Sequence, residues 1–153
     1  MGQKREASGE AIAKSMFEMA SLQVPIIAIV IGEGSSGGAL ALGVANKVFM
    51  LENAIYSILS PEGYSSILWK DSSRYKEAAE KMKLTAKDLY ELKVIDKIIE
   101  EPSENEEENF ISVTEKLKKE IQSDIKEMRR MDEEKLVEDR YKKFRNMGET
   151  VIV

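Results

Sequence analysis

With 153 residues and 42% apolar content, the chain is long enough for one domain with a real core. Its net charge is −5, and residues 101–153 hold 11 Lys/Arg against 15 Asp/Glu, which argues against a nucleic-acid-binding protein. There is no cysteine and no histidine, so disulfides, thiolate zinc sites and Ser-His or Cys-His catalysis are excluded within this sequence. No N-terminal signal-like segment is present and no apolar run approaches about 18 residues. A soluble, cytoplasmic protein with no membrane or metal partner is expected.

In chain order, Met1 to Ser8 is polar and expected to fray. A first helix is expected over about Gly9–Ser21, with Ile12, Met16, Met19 and Ala20 on one face as a sheet-covering stripe. Pro25 then opens the run Ile26 to Ile31, six apolar residues that suit a parallel strand buried on both faces. The run ends in a glycine cluster, Gly32, Gly34, Gly37 and Gly38, followed by the small-residue helical stretch Ala39–Ala45. Val48–Leu51 and Tyr56–Leu59 read as two short extended segments. Ser60-Pro61-Glu62 reads as an N-cap, a first-turn proline and a dipole-compensating acid, opening a helix to about Lys70. Arg74–Lys83 continues as helix, and Thr85-Ala86-Lys87-Asp88 opens another with a capping-box-like pattern. Val94–Ile99 is the last short apolar stretch. Ser103 to Asn109 reads as an acidic loop, and two charged helices are expected at Phe110–Arg130 and Asp132–Met147. The first carries the stripe Phe110, Val113, Leu117, Ile121 and Ile125. Residues 1–102 are thus expected as the core, and 103–153 as a loop and helical extension of the same domain.

The glycine cluster admits three readings. Gly32-Glu33-Gly34-Ser35-Ser36-Gly37 fits G-x-G-x-x-G between a strand and a helix, with Glu52 placed 20 residues on for a ribose. The helix that follows is short for such a crossover, and the further strand–helix repeats of a dinucleotide domain are missing from the sequence. The second reading is an anion or oxyanion site, in which glycines at a helix start leave backbone N–H groups uncovered. In the third, the glycines serve only close helix–strand packing.

Val30–Leu51 (VIGEGSSGGALALGVANKVFML) and Tyr56–Lys70 (YSILSPEGYSSILWK) resemble the α-subunit family of bacterial acetyl-CoA carboxylase carboxyltransferases. So do Gly2–Pro25 and Leu84–Pro102, and the resemblance runs from about Gly2 to Gly148. It implies an α/β fold, the C-terminal half of the coiled ββα superhelix of the ClpP/crotonase superfamily, with C-terminal helices added. The activity implied is transfer of the carboxyl group from carboxybiotin, presented by its carrier protein, to acetyl-CoA. The product is malonyl-CoA for fatty-acid biosynthesis, within an ATP-dependent complex. By the same resemblance, the backbone N–H groups of Gly37 and Gly38 hold the biotin ureido oxygen, with Gly34, Ser35 and Ser36 beside them as substrate-binding residues. Biotin itself can take the acetyl proton, so no histidine is needed. No cofactor is covalently bound to the chain, and the implied partners are a zinc-ribbon β subunit in a heterotetramer and the biotin carboxyl carrier protein.

Three departures stand beside the match. Ser35 occupies the family's usual glycine position before Ser-Gly-Gly, and Tyr64 replaces a small residue. The family's N-terminal half has no counterpart in this sequence, and Glu149–Val153 has none in the family. Activity is therefore expected only in a complex, with a noncatalytic assembly scaffold and a nucleotide-binding module as the alternative functions.

Overall fold

The computed structural model describes residues 2–102 and 106–148. Helix α1 (Gly2–Ser21) precedes strands β1 (Ile27–Val30) and β2 (Glu33–Ser35) and helix α2 (Ser36–Leu42). Strands β3 (Lys47–Leu51) and β4 (Ile55–Ser57) follow, then α3 (Pro61–Trp69), a 3₁₀ turn at Ser72–Arg74, α4 (Tyr75–Met82) and α5 (Ala86–Glu91). Strand β5 (Lys97–Ile99) and the long helices α6 (Glu106–Met128) and α7 (Glu133–Asn146) complete the chain. Two parallel sheets result, one ordered β1-β3-β5 and one made of β2 and β4. Each unit, β1-β2-α2 and then β3-β4-α3, gives one strand to each sheet before its helix. That is the ββα coil the resemblance implies.

The caps explain where several helices begin. Ser60 Oγ accepts the Gly63 amide at 3.1 Å with Pro61 in the first turn, Thr85 Oγ1 accepts the Asp88 amide, and Asp132 Oδ1 accepts that of Lys135. The acidic stretch is helical from Glu106 rather than a loop to Asn109, because carboxylates in a first turn complement the exposed N–H groups there. Ser103, Glu104 and Asn105 lie outside the described residues, as does the tail from Glu149 to Val153. Helix α1 likewise starts at Gly2, earlier than the polar composition of its first residues suggests.

The core sits around β3, where Val48, Phe49 and Met50 are essentially inaccessible and Ala45, Ile95, Ile99 and Val113 close in. Among the described residues β1 pairs with β3 alone, in register from Ile27 opposite Lys47 to Val30 opposite Met50. Its residues are therefore half-buried, not buried on both faces, and Ile31 is 70% exposed. An apolar run of this length fits an edge strand as well as a central one, since periodicity alone does not separate them. The expected α1 stripe is also only partly used. Of residues 9–21, Ile12 and Met19 alone are other than exposed. On α6, Val113 is buried and Leu117 and Ile121 pack against the core, whereas Phe110 is exposed.

Helix α7 crosses the ends at which all three strands of the larger sheet begin. Asn46, just before β3, accepts the Ile26 amide at the mouth of β1 and donates to Leu136 O at 2.8 Å. Asp96, just before β5, accepts the Val48 amide and pairs with Lys143. Arg140 lies between them and is 1% exposed. Burial pushes the Lys143 ammonium below its ordinary value, while Asp96 opposes that shift. On the far side of the sheet, Lys97 bridges Glu120 and Asp124 at 2.6 and 2.8 Å and ties β5 to α6.

Candidate functional site

With the N-terminal ends of the strands closed by α7, the glycine cluster occupies the opposite, C-terminal end of β1, where ligands gather in sheets of this kind. The cluster is not one turn. β2 interrupts it, so Gly32 precedes a strand, Gly34 lies within one, and Gly37 and Gly38 fall in the first turn of α2. A three-residue strand reading Glu-Gly-Ser carries no apolar alternation, which is why the sequence does not announce it.

Ser35 is the N-cap of α2, in extended conformation, and its side chain makes no capping hydrogen bond. Ser36 follows with φ +64°, the left-handed region that non-glycine residues seldom occupy. This sharp reversal turns β2 into α2. The amides of Ser36, Gly37 and Gly38, in the first helical turn, have no intrahelical acceptor. Ser35, Ser36 and Gly38 are exposed, while Gly34 and Gly37 are half-buried. The five residues singled out in the sequence thus lie consecutively on one strand-to-helix junction. No lone motif signals the Ser36 backbone geometry, although a small residue just before Gly-Gly permits it.

The glycines separate by what a Cβ would meet. At Gly34 it would lie 3.1 Å from both Tyr56 Cδ2 and Val30 Cγ1, and at Gly37 2.7 Å from Ile12 Cδ1. Close packing accounts for those two, and for Gly43, where the same atom would fall 2.3 Å from Tyr56 Oη. At Gly38, as at Gly9 and Gly32, nothing lies within 4 Å, so packing does not account for the glycine there.

Beneath α2, a groove of about 540 Å³ runs along β1, lined by Ile27, Ile29, Ile31, Gly34, Leu42 and Tyr56. Tyr56 Oη donates to Ala39 O at 3.3 Å, and burial pushes its phenol above the ordinary value. The sequence missed this tyrosine as the wall between α2 and β2. Glu52, the ribose-binding candidate, accepts the Glu101 amide at 3.1 Å and joins the ends of β3 and β5. Among the described residues there is no cluster of three or more carboxylates placed to hold a metal, and no helix is long and apolar enough to cross a membrane.

A family model described as acetyl co-enzyme A carboxylase carboxyltransferase-like matches residues 1–148. The acetyl-coenzyme A carboxylase carboxyl transferase subunit alpha of Clostridium beijerinckii is 52% identical over 148 residues, which cover 97% of this chain and 54% of that protein. Its counterpart in Streptococcus uberis is 54% identical over 146 residues, covering 95% and 56%. In Natranaerobius thermophilus a protein named as carrying subunits beta/alpha is 51% identical over 147 residues, covering 96% of this chain and 24% of the relative. The chain spans about half the length of the α subunits it matches. Among solved structures, a Pseudomonas malonate decarboxylase hetero-tetramer in complex with coenzyme A superposes with a TM-score of 0.57 at 20% identity, over 67% of this chain and 43% of the other. Transcarboxylase 12S gives 0.55 at 19% identity, over 65% and 21%. At these identities both bear on the fold alone, and they agree with the crotonase-like ββα coil described above.

Proposed function

Because the chain belongs to the acetyl co-enzyme A carboxylase carboxyltransferase-like family, we propose that it supplies the C-terminal half of a carboxyltransferase α subunit. In this reading a carboxyl group passes from carboxybiotin, held on its carrier protein, to acetyl-CoA. The bond between the biotin nitrogen and the carboxyl carbon breaks, and its electron pair is delocalised onto the ureido oxygen. The amides of Gly37 and Gly38 receive that oxygen, with Gly34, Ser35 and Ser36 forming the adjoining wall. The biotin nitrogen takes a proton from the acetyl methyl group, and the resulting enolate forms the new carbon–carbon bond of malonyl-CoA. Backbone donors aimed at developing charge need no titrating side chain, which suits a chain without histidine. A β subunit would hold the thioester opposite this wall, and the reaction would serve fatty-acid synthesis in the cytoplasm.

The observation that carries this reading is 52% identity across 97% of the chain to an α subunit. A chimaera tests it: residues 2–148 replace the matching segment of the Clostridium beijerinckii α subunit, and the product is assayed with the β subunit of the same organism. Turnover comparable to the parent is the expected result. A chimaera that assembles with β but does not form malonyl-CoA would favour the assembly-scaffold reading instead.

Against the dinucleotide reading, the helix after the glycines is only seven residues long, and Glu52 Oε2 already accepts the Glu101 amide. Calorimetry with NAD, NADP and FAD should accordingly show no heat of binding. Micromolar affinity for any of the three would restore a nucleotide site.

A further inference from the structure

Among the described residues Arg140 is the largest side chain that is fully buried, and it carries a charge. Buried guanidinium groups persist only where their donors are satisfied. Here Nη1 donates to Met19 O, Ala20 O and Leu22 O at 2.8, 3.1 and 2.8 Å, and Nη2 to Val24 O at 3.0 Å and Asn46 Oδ1 at 2.9 Å. Nε also reaches Asn46 Oδ1, at 3.3 Å. The acceptors are the free carbonyls at the C-terminal end of α1 and in the loop entering β1, where a cation also complements the helix dipole.

Helix α1 packs mainly against α2 and also touches α7. Between residues 9 and 21 only Ile12 and Met19 are withdrawn from solvent. Ile12, two turns before Met19, lies over Gly37 in the first turn of α2, where an added Cβ would fall 2.7 Å from its Cδ1. A helix behaves as a rigid rod over two turns, so fixing its C-terminal end fixes where Ile12 meets the strand-to-helix junction. We infer that Arg140 is a positioning residue for the Gly37–Gly38 turn, acting through α1 and Ile12. The inference rests on the reading of that turn as the oxyanion site.

The test compares Arg140→Lys, Ile12→Ala and their combination in the reconstituted carboxyltransferase, at a temperature where circular dichroism shows each folded. Lysine keeps the charge but cannot span carbonyls of α1, the loop and Asn46 together. Each single change should lower kcat about tenfold or more with KM within about twofold, as a displaced site does. The double variant should lose little beyond the larger single loss, because both changes break one chain of contacts. Lys143→Met is the control: it removes the pair with Asp96 and the long bond to Asn46 O on the same face of α7 and leaves the Arg140 bonds to α1 in place, so it should lower stability without lowering kcat. Multiplicative losses in the double variant, or an equal kcat loss in the control, would overturn the inference.

Hydrogen–deuterium exchange on the full chain decides the point without activity. Arg140→Lys should speed exchange in residues 36–42 as well as in 19–24. Acceleration confined to 19–24 and α7 would reduce Arg140 to a local clamp. Should Gly38 prove irrelevant to turnover, this exchange result still stands by itself.

Discussion

Replacing Gly38 with valine is expected to lower malonyl-CoA formation in the reconstituted complex about 10²-fold or more, the scale of losing one oxyanion donor. The fold should survive the change. A Cβ at Gly38 meets nothing within 4 Å, and valine is a better helix former than glycine. The melting temperature should therefore hold or rise while turnover falls, a separation that packing loss would not produce. Gly37→Ala is a poorer probe, because its Cβ displaces Ile12 and mixes a packing effect into the readout. Unchanged turnover in Gly38→Val would remove the amide from the chemistry and leave Gly38 without a role.

The chain alone is expected to be inactive and to self-associate. β1 carries Ile27, Ala28, Ile29 and Val30 at a sheet edge, with its outer row of N–H and C=O groups unpaired by β3. An apolar edge of this kind is a template for another strand. The groove beside it is lined by the same isoleucines, and Leu42 and Ile31 at its rim are 72% and 70% exposed. Exposed apolar side chains gathered along an unpaired edge favour association with another polypeptide. Light scattering should show oligomers of the purified chain that are replaced by a defined complex when the upstream half of a related α subunit is supplied. A stable, monodisperse monomer would mean that the edge needs no partner.

Local chemistry made much of this fold legible. Ser60-Pro61, Thr85 and Asp132 fixed helix starts because a capping side chain serves amides only two or three residues away. Val48–Leu51 stood out because four consecutive apolar residues fill the centre of the core. What the sequence did not reveal depends on distant partners. The edge position of β1 is settled by which strand lies beside it, and the half-empty stripe of α1 by which helix it meets. Arg140 sits among the charged residues of α7 and differs from them only in that five carbonyl and amide oxygens from residues 19–24 and 46 converge on it. The helix after the glycines was expected at Ala39–Ala45 but runs Ser36–Leu42, and the division of the cluster by β2 depends on pairing with β4 across the chain.

The most direct test of the central proposal measures malonyl-CoA formed from carboxybiotin and acetyl-CoA in four mixtures. These are the chain alone, the chain with an upstream half, the chain with a β subunit, and all three together. Product is expected only in the last mixture, and Gly38→Val should abolish it there. Product from the chain alone, or an inactive full mixture beside an active intact relative with the same β subunit, would contradict it.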